Sequence, residues 1–117
     1  MGRIEKINQR VKEEVSRIIQ LEVKDPRLEF VTVTQVEVTR DLQHARIFFS
    51  VLGDEKKAQD AEHGLNSARG FIRRLIGQRI RMRYTPEIEF TLDRSLQYGI
   101  DIENAIERLK NDFPGNR

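Results

Sequence analysis

"LNSARGFIRRLIGQRIRMRYTPEIEF", residues 65–90, decides how the chain is read. Leu65, Ala68, Ile72 and Leu75 recur three and four residues apart, the spacing that lines up one face of an α-helix. Beyond Pro86 the period changes. Ile88, Phe90 and Leu92 alternate with Glu87, Glu89 and Thr91, the pattern of a half-buried strand. The stretch is also electrically unusual. Residues 67–86 hold six arginines and no acidic side chain. The chain has 21 Lys+Arg and 19 Asp+Glu, so outside this stretch 15 basic residues face 19 acidic ones, a net of −4. A formal charge of +2 thus conceals a local +6. Overall charge does not announce a nucleic-acid binder, but its distribution points that way.

Working outward, Ala58 and Ala61 extend the helical stripe backward to Gly53-Asp54, where Asp54 is placed to cap the helix. Gly64 and Gly70 lie inside it, each costing about 1 kcal/mol against alanine. Gly70 is expected to mark a kink that divides two helices. Arg79 breaks the apolar stripe, so the helix is expected to fray after Gly77 or Arg79 to snorkel. At the N-terminal end, Ile4, Ile7, Val11, Val15 and Ile18 predict an amphipathic helix over residues 3–23. "KDPR" stops it, because Pro26 cannot continue a helix and Asp25 before it is pushed toward extended geometry. "FVTVTQVEVT" (30–39) is rich in β-branched residues. Val31 and Val33 share one phase and Val36 and Val38 the other, which predicts a bulge near Thr34–Gln35. "HARIFFSVL" (44–52) alternates as a second strand, joined to the first by "RDLQ" as an antiparallel hairpin. Ser95 is placed to cap a last helix carrying Ile102, Ala105, Ile106 and Leu109. The order α-β-β-α-kink-α-β-α predicts an α+β fold, helices packed on a three-stranded sheet. A chain of 117 residues makes a single domain, here 1–113, with 114–117 as a frayed C-terminal tail.

Several function classes are excluded. With no cysteine there are no disulfides or thiolate metal sites, which fits a reducing cytoplasm. The N-terminus lacks an apolar signal core, and Lys6 stands where a myristoylation signal wants Ser or Thr. No apolar run is long enough to span a membrane. His44 and His63 have no second ligand at metal spacing and read as surface residues. There is no glycine-rich phosphate loop ending in Lys-Ser or Lys-Thr. Glu87 and Glu89 should face water. Nothing assembles into an acid–base or nucleophilic set, so an enzyme is not expected, nor a cofactor.

What remains is the arginine stretch. Arginine's planar fork donates paired hydrogen bonds to phosphate and keeps its charge. Gly70 lacks a Cβ, so a sugar-phosphate chain could come close to the backbone there. Composition alone leaves two readings open: nucleic-acid binding, or a protein-interaction module whose arginines meet an acidic partner. Arg69 and Arg73 could equally pair with first-helix acids such as Glu13 or Glu14.

Two helices meeting at a glycine-marked kink resemble the core of a type II KH domain, whose members hold four nucleotides against a GXXG loop. The matching place reads Ser67-Ala68-Arg69-Gly70 and keeps only the last glycine. In this the chain resembles the ribosome-binding factor A family, which has an Ala-X-Gly kink instead. The resemblance extends over "EVKDPRL" (22–28), "VTVTQVEVTRDLQHARIFFSVLG" (31–53), residues 65–90 and the Ser-Leu-Gln-Tyr-Gly of 95–99. It implies a small-subunit assembly factor that binds the immature free 30S subunit and 16S rRNA. It further implies help with late maturation and rRNA processing, a role in cold adaptation, action alongside ribosome-assembly GTPases, and a monomeric, cytoplasmic, non-enzymatic protein. A stand-alone KH-like binder of single strands is the alternative, with the missing GXXG against it. Carried onto this sequence, the RNA-binding surface is Ala68, Arg69, Gly70, Arg73 and Arg74, extended by Arg79, Arg81 and Arg83, with Lys24 and Arg27 as additions. Replacing Arg73 and Arg74 by Glu is expected to abolish binding and leave the thermal melt unchanged. Tyr84 is expected to pack, with base stacking as the alternative.

Overall fold

The structure, a computed structural model, describes residues 2–94. The expected last helix, the tail and the Ser-Leu-Gln-Tyr-Gly motif lie outside the described residues. Helix α1 spans Arg3–Leu21. A single 3-10 turn, Pro26–Leu28, follows, with the Asp25 carboxylate accepting the Arg27 backbone N–H. The "KDPR" stop is therefore a capped structure with Pro26 at its first position, where a missing N–H costs nothing.

Strands β1 (Val31–Val38) and β2 (His44–Val51) form the expected antiparallel hairpin. Its register slips between Val33 and Gln35, so the bulge falls where the two valine phases meet. Val33, Val36 and Val38 consequently all point into the core. Helix α2 (Glu55–Arg79) crosses over to β3 (Glu87–Leu92), which pairs with β2 in parallel, giving the strand order β1-β2-β3. Parallel neighbours need such a crossover, so the helix is a topological necessity. The result is an α+β domain with two helices on a three-stranded sheet in the KH-like order. Its core joins Val11, Val15 and Ile18 of α1, Ile47 and Phe49 of β2, and Leu65, Ile72 and Ile76 of α2. Each such side chain contributes about 1.5–3 kcal/mol by leaving water.

Helix α2 differs from expectation in one respect. It runs as a single helix through Gly70, with no division into two, and it reaches Arg79 without fraying at Gly77. The buried stripe explains this. Leu65 lies before Gly70 and Ile72 and Ile76 after it, all in one helical phase and all fully buried. A break would lose that phase at a cost of several kcal/mol, against about 1 kcal/mol for one glycine. Gly64 and Gly77 serve close packing instead. A Cβ at Gly64 would sit 3.0 Å from Leu28 Cδ2 and 3.1 Å from Asp25 Oδ2, and one at Gly77 would sit 2.7 Å from Thr85 Oγ1.

Candidate nucleic-acid interface

The second half of α2 turns Arg69, Gly70, Phe71 and Arg74 toward solvent. At Gly70 a Cβ would meet nothing within 4 Å, so its backbone is bare on an open face. Helical side chains lean toward the preceding turn, which brings Arg74 over Gly70. The Arg74 guanidinium lies 5.4 Å from the Phe71 ring centroid. An aromatic ring, a guanidinium and an unshielded backbone thus share one patch. Ala68 is half-buried against the core and acts from beneath, spacing the helix from the sheet.

The six arginines of 67–86 do not form one surface. Arg73, half-buried, is engaged with the α2–β3 loop: its Nε–H donates to the Pro86 carbonyl at 3.0 Å and its terminal nitrogen to the Thr85 carbonyl at 2.9 Å. It also lies 3.3 Å from Glu87. Arg73 therefore ties α2 to the α2–β3 loop, and these bonds predict a lower melt on its replacement where a nearly unchanged one was expected. The pairing once open for Arg73 and Glu14 falls to Arg79 instead. Arg79 donates to both carboxylate oxygens of Glu22 and, at 3.2 Å, to Glu14. Glu14 is only 3% exposed and is shared with Arg10 at 3.4 Å and Arg17 at 3.7 Å. A buried carboxylate needs such compensation. So Arg79 neither frays nor snorkels; it ties the end of α2 to α1. The hydrogen bonds to Glu22, then those to Glu14, push the Arg79 pKa up, and the Arg79 hydrogen bond holds Glu22 below its ordinary range.

Arg27 is similarly engaged. Its Nε–H and terminal nitrogen grip the Asp25 carboxylate at 3.0 and 2.7 Å, which lowers the Asp25 pKa and raises that of Arg27. That clamp rests against Gly64, so "DPRL" docks the 3-10 turn onto α2. By contrast Arg69, Arg81 and Lys24 are exposed and carry no ion pair among the described residues. Arg83 stacks on Tyr84 at 5.4 Å, and Tyr84 is 43% exposed where packing was expected. Phe71, 37% exposed, went unnoticed in the sequence, although its place off the Leu65–Ile72–Ile76 stripe was the available signal.

The place that would correspond to a GXXG loop, residues 67–70, is regular helix here. Arg69 overhangs a groove whose sheet side presents Glu37, Glu87 and Glu89. A helix gives no loop to wrap a strand. Among the described residues there is no acidic or histidine cluster suited to a metal, and no helix long and apolar enough to cross a membrane.

Residues 3–106 match the family model for ribosome-binding factor A. Ribosome-binding factor A of Halothermothrix orenii is 45% identical over 115 residues, covering 98% of this chain and 94% of that protein. The crystal structure of ribosome-binding factor A from Thermus thermophilus superposes with a TM-score of 0.72 at 25% identity, covering 81% of this chain and all of that one. A Thermus thermophilus ribosome-binding factor A homology model, fitted into the cryo-EM map of its complex with 30S, aligns at a TM-score of 0.61 and 26% identity, covering 74% of this chain and 91% of that chain.

Proposed function

The chain belongs to the ribosome-binding factor A family, and from that premise we propose that it is a small-subunit assembly factor binding the free 30S particle through 16S rRNA. The observation that carries the reading is the division of labour among its arginines. Arg69, Arg74, Arg81 and Arg83 carry no ion pair among the described residues, while Arg73, Arg79 and Arg27 are bound into the scaffold. Arg69, Gly70, Arg74, Arg81 and Arg83 face the RNA. Lys24 is a further cationic contact. Ala68 positions the patch from below.

A rigid helix face carrying guanidiniums reads the shape and backbone of folded RNA, whereas a flexible clamp reads single strands. The protein performs no catalysis. It acts as a monomer in the cytoplasm, assists late maturation and processing of the rRNA, supports growth in the cold, and leaves the particle in step with an assembly GTPase. The regular helix at residues 67–70 favours this over a stand-alone single-strand binder.

Co-sedimentation with purified 30S, 50S and joined ribosomes over a salt series tests the proposal. Five phosphate contacts, from Arg69, Arg74, Arg81, Arg83 and Lys24, at 0.7 to 0.9 each give a slope of log affinity against log salt of about −3.5 to −4.5. Pelleting with 30S alone, with that slope, is expected. Absence of pelleting at low salt, or a slope near zero, refutes the reading.

A further inference from the structure

A second cationic groove lies away from Gly70, where the start of α1, the β1–β2 turn and the α2–β3 loop meet. Arg3, Arg40 and Arg83 line it together with the exposed Tyr84 and two carboxylates, Glu5 and Asp41, so cations outnumber anions three to two. Ile4 and Ile7, packed on the core, supply an apolar floor. Arg3 and Arg40 carry no ion pair among the described residues. Asp41 is turned to its own turn, accepting from Thr39 Oγ1 at 2.7 Å and from the Gln43 N–H at 3.1 Å.

All three walls are held in place. Asn8 Oδ1 accepts the Val38 N–H at 2.8 Å, pinning α1 to the end of β1. The turn is knitted by Leu42 N–H to the Thr39 carbonyl and by His44 N–H to Thr39 Oγ1. Within it Leu42, a buried residue, is held at φ 63, a left-handed conformation that a leucine adopts only under constraint. The Glu87 N–H joins the turn to β3 through the Gln43 carbonyl at 2.9 Å. Arg73 fixes the third wall at Thr85 and Pro86. The groove is therefore preorganised, and binding there orders little backbone.

Resting on the reading of the protein as an rRNA binder, we infer that this groove takes one unpaired nucleotide of the folded RNA. Its base stacks on Tyr84 and its flanking phosphates meet Arg3 and Arg40. The mixture of groups argues for this ligand. Phosphate or an acidic peptide calls for cations alone. An exposed phenol beside guanidiniums, over an apolar floor, suits a planar base joined to phosphates.

Binding of 30S by the full chain and its variants over a salt series decides the matter, with melts to confirm folding. Tyr84→Ala should weaken binding roughly tenfold without changing the salt slope, and Tyr84→Phe should restore it, because stacking needs the ring and not the hydroxyl. Arg3→Gln with Arg40→Gln should make the slope shallower by about 1.4 to 1.8, from about −5 to −6 in the parent, where these two join the five cations named above. The chain has no tryptophan, so Tyr84→Trp supplies a single reporter whose emission should be quenched when 30S is added. If all these variants bind as the parent does, the groove assignment is wrong while the assembly-factor reading stands. If only the arginine variants weaken binding, a phosphate or acidic peptide docks there and the nucleotide is ruled out. If the parent itself does not bind 30S, the functional reading fails and this inference with it.

Discussion

Gly70→Ala should make the protein more stable and a poorer binder. Glycine in a helix interior costs about 1 kcal/mol relative to alanine, mostly because the unfolded chain is freer. That gain is realised only where the new methyl fits. Here a Cβ would meet nothing within 4 Å, and the helix is regular on both sides. The full 1 kcal/mol is thus expected, which for a domain of this size raises Tm by about 4 °C. A position that stabilises so readily calls for a reason to keep glycine. Close approach of RNA backbone beside Arg74 supplies one. The methyl would hold a phosphate back from that surface, weakening 30S binding by about tenfold, equivalent to about 1.4 kcal/mol. Thermal or urea melts and 30S co-sedimentation read the two effects separately. A lower Tm would refute the claim that the position is open. A higher Tm with unchanged affinity would refute the claim that RNA touches it.

Further outcomes separate scaffold from interface. Arg73→Ala should lose about 2–3 kcal/mol of stability by orphaning the Thr85 and Pro86 carbonyls, whereas Arg74→Ala should move the melt by no more than about 0.5 kcal/mol and weaken binding; equal melts for the two would overturn the assignment. Gly64→Ala should destabilise in spite of alanine's better helix propensity, because Leu28 is buried and the Asp25–Arg27 pair leaves little room to yield, and a raised Tm would show that the turn gives way. Stability should be level above about pH 5 and fall in acid. Glu22 and Asp25 have folded pKa values below their unfolded ones, so they add stability above the unfolded pKa that is lost as pH drops through the folded value; Glu22→Gln should flatten that fall as measured by melts between pH 7 and 3.

Much of the fold was legible because it rests on local signals. The valine phase change located the bulge between Val33 and Gln35, Asp54 accepts the Lys57 N–H as an N-cap should, and the alternation over 87–92 gave β3. Gly70 misled because a glycine's cost is local while the stripe that outweighs it spans Leu65 to Ile76. The site was harder to read. Charge density along the chain singled out one stretch but could not tell a free guanidinium from a paired one. The partners that engage Arg79, Glu14 and Glu22, are 65 and 57 residues away. Arg3 and Arg40 went unremarked for the same reason, since only the fold brings them to Arg83.

That sorting of arginines bears on specificity. Had all six guanidiniums of 67–86 faced outward together, the stretch would attract any polyanion, and its affinity would come chiefly from counterion release, which carries no information about shape. Instead, Arg73 is spent on the α2–β3 loop and Arg79 on the buried Glu14, and both set the angles at which the remaining cations stand. Each arginine withdrawn from the surface lowers non-specific affinity by about one phosphate contact. Each also stiffens the frame that carries the others, so less entropy is lost when a target of matching shape is met. On the same reading, the net charge of −4 outside residues 67–86 adds to this by disfavouring RNA that approaches from other sides. On the proposed reading, discrimination between a folded subunit and bulk RNA depends on the internal pairs as much as on the exposed ones. Arg79→Lys, which keeps the charge and gives up the two-pronged grip on Glu22, should blur it. Competition by bulk transfer RNA against 30S would reveal this as a narrowed affinity ratio, and an unchanged ratio would show that the frame has no part in selection.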